Sequence, residues 1–183
     1  MMKEVLWLPL LIITPAVVGG VLHSVAIKLG LLRGLAVPLS IHWFGSHKTY
    51  RGFVLMPLGC VLGVYLATTI EAALPMAYHA GFGQITGWVA GLALGLAYML
   101  FELPNSFAKR RLGVVDGMLA AGSMRPVFLV ADQVDSVIGC VVVCALFFDV
   151  SATVLLATLT IGVGAHMATN LALYLAGVRS RPV

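Results

Sequence analysis

Two aspartates, Asp132 and Asp135, stand three residues apart in the apolar stretch VADQVDSVIGCVVVCALFF. Side chains three apart on a helix point to nearly the same face, so the two carboxylates converge. An ionised carboxylate at the centre of a membrane helix costs roughly 2.5 to 3.5 kcal/mol on insertion scales. Two neighbouring carboxylates also repel each other unless a cation lies between them or one of them is protonated. The pair therefore needs a partner.

A hard divalent cation is the simplest partner for the two aspartates. Mg²⁺ prefers oxygen ligands, and it typically binds one or two protein carboxylates together with water and substrate phosphates. The alternative is that Asp132 and Asp135 bond to backbone groups, or to a basic residue such as Arg125, and serve assembly alone. Because ionisable residues inside a membrane span mark functional sites by default, we favour the metal site.

The segment FELPNSFAKRRLG carries groups of the opposite charge. Ser106, Lys109 and Arg110 are spaced so that a hydroxyl and two cations share one helical face. Glu102, one turn before Ser106, adds a third carboxylate that could lie near the metal. Cations beside a metal–carboxylate centre suit a polyphosphate, because its developing charge needs basic side chains and Mg²⁺ together.

A second basic segment, FGSHKTYRG, carries Lys48 and Arg51 three residues apart. His47, beside Lys48, is a candidate phosphate or base contact, and the alternative is an interfacial histidine held by backbone groups. Nearer the C-terminus, His166 and Asn170 lie one turn apart on a helix. They could bind a nucleotide or a lipid head group, or they could form an interhelical hydrogen bond.

The composition indicates that these residues belong to a membrane protein. The chain has 183 residues, of which 61% are hydrophobic and only 10% charged, with a mean hydropathy of +1.04. This predicts one integral-membrane domain over residues 1–183, an all-α bundle of five transmembrane helices with two long cytoplasmic loops. The predicted spans are 5–27, 53–73, 84–103, 127–148 and 152–176. Pro104 is expected to break or kink the helix after the third span.

The distribution of Lys and Arg predicts the orientation. All of these residues except Lys3 fall after the first span, after the third span or in the C-terminal tail. The positive-inside rule then places the N-terminus outside and the C-terminus and both long loops in the cytoplasm, in an inner or plasma membrane. The net charge of +4 reports this topology and anionic substrates, so we expect no nucleic-acid partner.

Small residues predict close packing of helices. Gly87, Gly91 and Gly95 lie at intervals of four in the third span, where helix backbones can approach closely. The stripe could pack inside the bundle or against a second copy in a homodimer, and the sequence leaves both open. Three cysteines lie in apolar runs and are interpreted as core residues.

Four segments, FGSHKTYRGF, ELPNSFAKRRLG, DQVDSVIG and AHMATNLALYLAG, resemble in order and spacing those of the CDP-archaeol synthases, CTP-dependent lipid-phosphate cytidylyltransferases of archaea with bacterial relatives. The SFAKRR segment followed by the aspartate pair also resembles a shortened CDP-diacylglycerol synthase signature. The resemblance covers roughly residues 44–182. Gln133 between the aspartates, where the bacterial phosphatidate enzymes have Arg, is similar to the archaeal branch.

The resemblance implies a reaction and a set of roles. The phosphate of a membrane lipid would attack the α-phosphorus of CTP in a Mg²⁺-dependent step, releasing pyrophosphate and leaving a CDP-lipid. The catalytic residues would be Asp132, Asp135, Lys109 and Lys48. The metal would be held by Asp132 and Asp135, with Glu102 as a further ligand in the place of an aspartate of the family. The substrate-binding residues would be Ser106, Arg110, Arg51, His47, Arg111, Asn170 and His166. Asp116 falls at the Asp of the longer signature, with Val115 where that signature has Lys.

A rival interpretation is a non-catalytic membrane carrier or assembly protein that retains an enzyme-like pocket. A carrier should have charged groups near the midplane and access from both sides. Here the acidic and basic groups are predicted on one side, which favours the enzyme. A CDP-alcohol phosphotransferase is disfavoured because its pattern of several aspartates spread over two helical turns is absent after Asp135.

Overall fold

The computed structural model describes residues 3–82 and 87–181, and these residues are helical apart from their connections. A short π-helical turn, Lys3–Trp7, leads into the first long helix. The α-helices are α1 (Leu8–Lys28), α2 (Ile41–Phe44), α3 (Tyr50–Ala72), α4 (Gly87–Arg111), α5 (Met124–Phe147) and α6 (Ala152–Leu175). The described residues form no strand, and a single isolated bridge pairs Pro38 with Thr49.

Five of the helical segments are long and apolar enough to cross a membrane. They are Val5–Lys28, Tyr50–Ala72, Gly87–Arg111, Met124–Phe147 and Ala152–Leu175. This confirms the predicted all-α bundle of five spans in an integral membrane protein. The first three residues of the predicted third span, 84–86, lie outside the described residues. Thr49 and Ser151 cap α3 and α6, because each side-chain oxygen accepts a bond from the backbone N–H three residues later.

The expectation that Pro104 breaks the helix after the third span is wrong, while a kink at this residue stays a prediction. Helix α4 runs through Pro104 and ends at Arg111, two turns beyond the predicted end of the span. Proline removes one backbone donor but leaves the rest of the helical ladder in place, and helices in membranes tolerate it where neighbouring helices support them. The extension matters because it carries Asn105, Ser106 and Lys109 as parts of one rigid helix.

The five long helices close into a ring. Helix α1 packs against α3 and α6, α3 packs against α4, α4 against α5, and α5 against α6. The core is formed by small and medium apolar side chains such as Met56, Cys60, Val64, Ala90 and Leu94, all fully or almost fully buried. The three cysteines are free and buried, as predicted for packing residues.

The glycine stripe of α4 is used within the chain. A Cβ atom on Gly91 would lie 2.4 Å from the Cα of Val61, and one on Gly95 would lie 2.3 Å from the Cα of Pro57. Any side chain at these positions would push α3 and α4 apart. The stripe therefore forms the α3–α4 contact, while a homodimer stays a prediction with no surface assigned to it.

The segments rich in Lys and Arg meet at one end of the bundle, here called the basic end. It comprises the α1–α3 connection, the α4–α5 connection and the C-terminal tail. Lys28 donates to the carbonyl of Gly177 at 2.8 Å, and Arg111 donates to that of His42 at 3.1 Å. These contacts confirm that the basic segments share one end, as an alternating chain of five spans requires.

Candidate active site

The two aspartates converge on one side chain of the neighbouring helix. The amide nitrogen of Asn105 on α4 donates to Oδ1 of Asp132 at 2.7 Å and to Oδ2 of Asp135 at 2.9 Å. Lys109, one turn beyond Asn105, donates to both oxygens of Asp132 at 2.5 Å. The second oxygen of Asp135 accepts from the backbone N–H of Ser136 at 2.6 Å. Asp132 and Asp135 thus face α4, not the lipid.

Both aspartates lie well inside α5, more than two turns from its first residue. Because α5 begins at Met124, three residues before the predicted start, Asp132 lies about 12 Å and Asp135 about 17 Å along the helix axis. The charged end of α4 lies beside both aspartates, and its Asn105 and Lys109 side chains donate hydrogen bonds to them. Each carboxylate accepts two or more hydrogen bonds there, as partly buried polar groups require.

The aspartate pair fits a divalent cation that binds partly through its substrate. One oxygen of each carboxylate lies within hydrogen-bonding distance of a single nitrogen of Asn105, so both can serve one small cation. Within residues 3–82 and 87–181, no group of three or more His, Cys, Asp and Glu side chains could hold a metal ion. Mg²⁺ typically needs only one or two carboxylates and takes its other ligands from water and phosphates.

Glu102 forms an ion pair with Lys48, which links α4 to the segment before α3. Both side chains are largely buried, at 18% and 20% exposed. Burial alone would lower the pKa of Lys48, but the nearby carboxylate of Glu102, with Asp135 and Asp132 further away, raises the pKa above its ordinary value. Lys48 is therefore a firmly charged cation at the site. The assignment of Glu102 as a metal ligand stays a prediction.

Asp116 joins the two connections of the basic end. Its carboxylate accepts from the backbone N–H of Ser46 at 2.6 Å and from the Ser46 hydroxyl at 2.5 Å. Arg110 approaches it at 3.4 Å, and His47 at 4.0 Å. Partial burial alone would raise the pKa of Asp116, but the Ser46 bonds and the charges of His47 and Arg110 outweigh it and hold the pKa below its ordinary value.

A cavity of about 550 Å³ runs into the bundle from this cluster and is here called the deep cavity. Its inner part carries the apolar side chains of Ile12 and Ile13 of α1 and Cys140 of α5, and Ile12 lies about 24 Å along α1 from Lys28. Its wall also carries polar side chains, and buried atoms of Asn105, Gln133, Thr158 and His166 have no partner among the described residues. Such atoms normally bond to a ligand or to water.

A second cavity, of about 380 Å³, lies at the basic end and is here called the mouth cavity. Its lining includes Lys109, Arg110, Asp116 and Arg181. The residues that line both cavities are His47, Lys48, Ser106, Asp132, Arg179 and Ser180. The aspartate cluster therefore lies where an amphipathic space meets a cationic one.

Two of the predicted substrate-binding residues line neither cavity. Arg111 is exposed, donates to the carbonyl of His42, and lies over the ring of Phe107 at 5.1 Å. Arg51 lies in the first turn of α3, with its Nε buried and without a partner among the described residues. Helix α3 begins only at Tyr50, so Lys48 lies outside the helix that carries Arg51.

His166 and Asn170 both line the deep cavity, as one helical turn of spacing predicts. The ring of His166 lies 6.1 Å from that of Tyr98. Asn170 is buried, and its side-chain oxygen accepts a hydrogen bond from Arg179 in the C-terminal tail.

Several residues at the site were not identified from the sequence. Asn105 bridges the aspartates, His23 and Ser24 of α1 line the deep cavity, and Arg179 and Arg181 bring the tail to the cavities. Asn105 directly precedes Ser106 in the basic motif, which was a usable signal. In the sequence, Arg179 and Arg181 indicated only the orientation of the chain in the membrane.

Comparisons with known proteins identify relatives of the chain. A family model described as CarS-like, CDP-archaeol synthase, matches residues 40–182. The chain is 30% identical over 139 residues to the CDP-archaeol synthase of Pyrobaculum arsenaticum (strain DSM 13514 / JCM 11321 / PZ6), covering 76% of this chain and 73% of that protein. It is 28% identical over 140 residues to the CDP-archaeol synthase of Thermofilum pendens (strain DSM 2475 / Hrk 5), covering 75% of this chain and 58% of that protein. No solved structure matches the chain significantly.

Proposed function

The chain belongs to the CDP-archaeol synthase family, and from this premise we propose that it transfers the cytidylyl group of CTP to the phosphate of a two-chain glycerol lipid. Family membership makes the chain an enzyme, a CTP-dependent lipid cytidylyltransferase. The proposal concerns the substrate and the mechanism. The lipid would be an archaetidic-acid-like ether phosphate or a phosphatidate-like diacyl phosphate.

One observation carries the proposal: the aspartate–lysine cluster lies at the junction of two cavities of different character. A cationic mouth suits the triphosphate of a nucleotide, since Lys and Arg neutralise phosphate charge. An apolar inner part suits lipid chains. The volume of about 550 Å³ is that of a site for a drug-sized ligand, so the deep cavity would hold the head group and the first part of the chains, and the bilayer would hold the rest.

The reaction needs no protein nucleophile. An oxygen of the lipid phosphate attacks the α-phosphorus of CTP, the bond from that phosphorus to the β-phosphate oxygen breaks, and pyrophosphate leaves. The attacking phosphomonoester is already anionic, so no proton has to be removed from it. The task of the protein is to hold two anions in line and to neutralise them.

Named side chains would do this at the junction. Lys109 lines the mouth cavity and can move its ammonium group from Asp132 to a phosphate of CTP. Lys48 lines both cavities and stays charged beside Glu102. Ser106 lines both cavities and can donate its hydroxyl to either phosphate. These roles place the attacking and leaving groups beside cations of the protein.

Mg²⁺ would be held by Asp132 and Asp135, with phosphate oxygens and water as further ligands. When bound, it would withdraw charge from the phosphates of CTP. Asn105 would keep the two carboxylates on one side of α5 before the cation binds.

The basic end is proposed to face the cytoplasm, where CTP is available, with the N-terminus outside. The positive-inside distribution supports this. Because all three native cysteines are buried, single cysteines at Ser123 on the basic end and at Ala77 on the opposite end can be labelled selectively. In intact cells an impermeant thiol reagent should label Ala77→Cys and spare Ser123→Cys, and the reverse pattern would contradict the orientation.

The function is tested with purified protein, radiolabelled CTP, Mg²⁺ and a panel of lipid phosphates. A chloroform-soluble CDP-lipid should form with an ether-linked or diacyl glycerol phosphate and not with the corresponding neutral glycerol lipid. The relative rates across the panel identify the lipid class. Absence of product with every lipid phosphate would reject the proposed reaction for this chain.

A further inference from the structure

The cations at the two cavities differ in how they are neutralised. The cations predicted from the sequence that line a cavity each have a carboxylate partner: Lys48 with Glu102, Lys109 with Asp132, and Arg110 with Asp116. Arg179 lines both cavities, but its guanidinium bonds to the neutral amide oxygen of Asn170. Over the described ranges, no carboxylate lies within ion-pair distance of Arg179.

A half-buried arginine without a counter-charge is an anion-binding group. Removing a charge from water is costly unless another charge or good hydrogen bonds compensate for it. A guanidinium offers five donors in a planar fork, which matches the oxygens of a phosphate. One donor is used by Asn170, so the others remain for a ligand in the cavity.

The tail is fixed on both sides of Arg179. Before it, Lys28 of α1 donates to the carbonyl of Gly177 at 2.8 Å. After it, Arg181 donates to the carbonyl of Gly117 in the α4–α5 connection at 2.5 Å. Arg179 therefore reaches the junction from an anchored backbone, and little conformational freedom is lost when it binds an anion.

We propose that Arg179 binds the phosphomonoester of the lipid substrate and holds it beside the aspartate cluster, an inference that rests on the proposed function. The lipid, and not the nucleotide, is assigned to Arg179 because its partner Asn170 lines the deep cavity and not the mouth cavity. The bonded guanidinium is therefore turned towards the deep cavity. Arg181 lines only the mouth cavity, which suits a nucleotide phosphate.

Binding measurements test this without turnover. Purified Arg179→Ala, Arg179→Lys and wild-type protein are titrated with phosphatidate in detergent, with diacylglycerol as the neutral lipid, and separately with CTP, and the thermal stabilisation is followed. We expect Arg179→Ala to lose about tenfold to a hundredfold in affinity for the lipid phosphate, the range for a lost hydrogen bond between charged groups. Its affinity for CTP should stay within about twofold. Arg179→Lys keeps the charge without the fork and should be intermediate.

Arg33 provides the matched control. It is an exposed arginine at the same end of the bundle and lines neither cavity, so Arg33→Ala removes the same charge and should bind both ligands like the wild type. Unchanged lipid binding by Arg179→Ala, or a larger loss for CTP than for the lipid phosphate, would overturn the proposal. A wild-type protein that binds lipid phosphate through Arg179 but forms no CDP-lipid would instead reject the proposed reaction alone.

Discussion

Lys109 of α4 donates to both carboxylate oxygens of Asp132 on α5 at 2.5 Å, within a pair whose side chains are 17% and 34% exposed. This bond joins the two helices at the depth where the cavities meet. It also places a cation beside a carboxylate that is a candidate metal ligand. Chemistry at the site therefore depends on the register between α4 and α5.

Replacing either aspartate by asparagine should remove activity without unfolding the protein. Asp132→Asn and Asp135→Asn keep the size of the side chain but remove a charge that a divalent cation needs. We expect CDP-lipid formation to fall at least about a hundredfold, because replacing a ligand should cost at least as much as replacing a residue that orients one. The rate is measured with labelled CTP, and membrane extraction and size-exclusion profiles check folding. Full activity in either variant would contradict the assignment.

Lys109→Ala should mainly weaken the use of CTP. The variant leaves Asp132 with Asn105 as its remaining hydrogen-bond donor and removes a cation from the mouth cavity. A rise of about tenfold or more in KM for CTP is expected, with a smaller change in KM for the lipid phosphate. Steady-state kinetics with each substrate varied in turn measure both. A rise in KM for the lipid phosphate alone would instead show that Lys109 acts on the lipid phosphate.

Asn105→Ala should weaken the response to Mg²⁺. The variant removes the donor that holds both carboxylates to α4, so their oxygens are no longer oriented towards one cation. We expect the Mg²⁺ concentration needed for half-maximal thermal stabilisation to rise about tenfold, as for other residues that orient metal ligands. Asn105→Gln, which keeps the amide on a longer stem, should recover part of the response. An unchanged Mg²⁺ titration would show that Asn105 does not organise the pair.

The sequence predicted the five long helices well and the polar contacts between them only in part. Five spans followed from length and apolar content, because a bilayer imposes about 20 apolar residues on each helix. The end of α4 was wrong because Pro104 was judged from its local effect, while packing against α3 and α5 keeps the helix intact. That error concerned two turns that carry half of the aspartate cluster.

Asp116 should make the basic end sensitive to acid. Its pKa in the folded protein lies below the ordinary value of 3.8, so its contribution to stability is fully present above that pH and is lost as the pH falls through the lower folded value. Asp116→Asn should reduce the melting temperature at neutral pH and flatten its decline in acid. Thermal unfolding across the acid range measures this. Asp149→Asn, an exposed carboxylate at the opposite end of the bundle, is the control and should follow the wild type.

Gly95→Ala should destabilise the bundle. A methyl group there would meet the backbone of Pro57, which cannot move aside without separating α3 from α4. Overpacking of this kind costs about 1 to 3 kcal/mol. Gly164→Ala on α6 is the matched control, since no atom lies within 4 Å of its added methyl group. Detergent-solubilised melting temperatures compare the two, and an equal effect would contradict the close α3–α4 approach.

The residues missed from the sequence share a physical reason. Arg179 meets the cavities because the tail is anchored to Gly117 and to Lys28, contacts that join segments far apart in the chain. In the sequence alone, arginines that follow a span indicate only which end of the span faces the cytoplasm. Conversely, Arg51 and Arg111 had suitable charge and spacing, but helix boundaries and the direction of their side chains place them outside both cavities.

The most direct measurement follows two labels of CTP in parallel. With Mg²⁺ and a lipid phosphate, label on the α-phosphate should enter the chloroform phase, and label on the γ-phosphate should remain in water as pyrophosphate. Transfer of the α-label to the lipid and release of the γ-label as pyrophosphate should both depend on Asp132 and Asp135. Label from the γ-phosphate in the lipid, or no transfer of the α-label with any lipid phosphate, would contradict cytidylyl transfer at the junction of the two cavities.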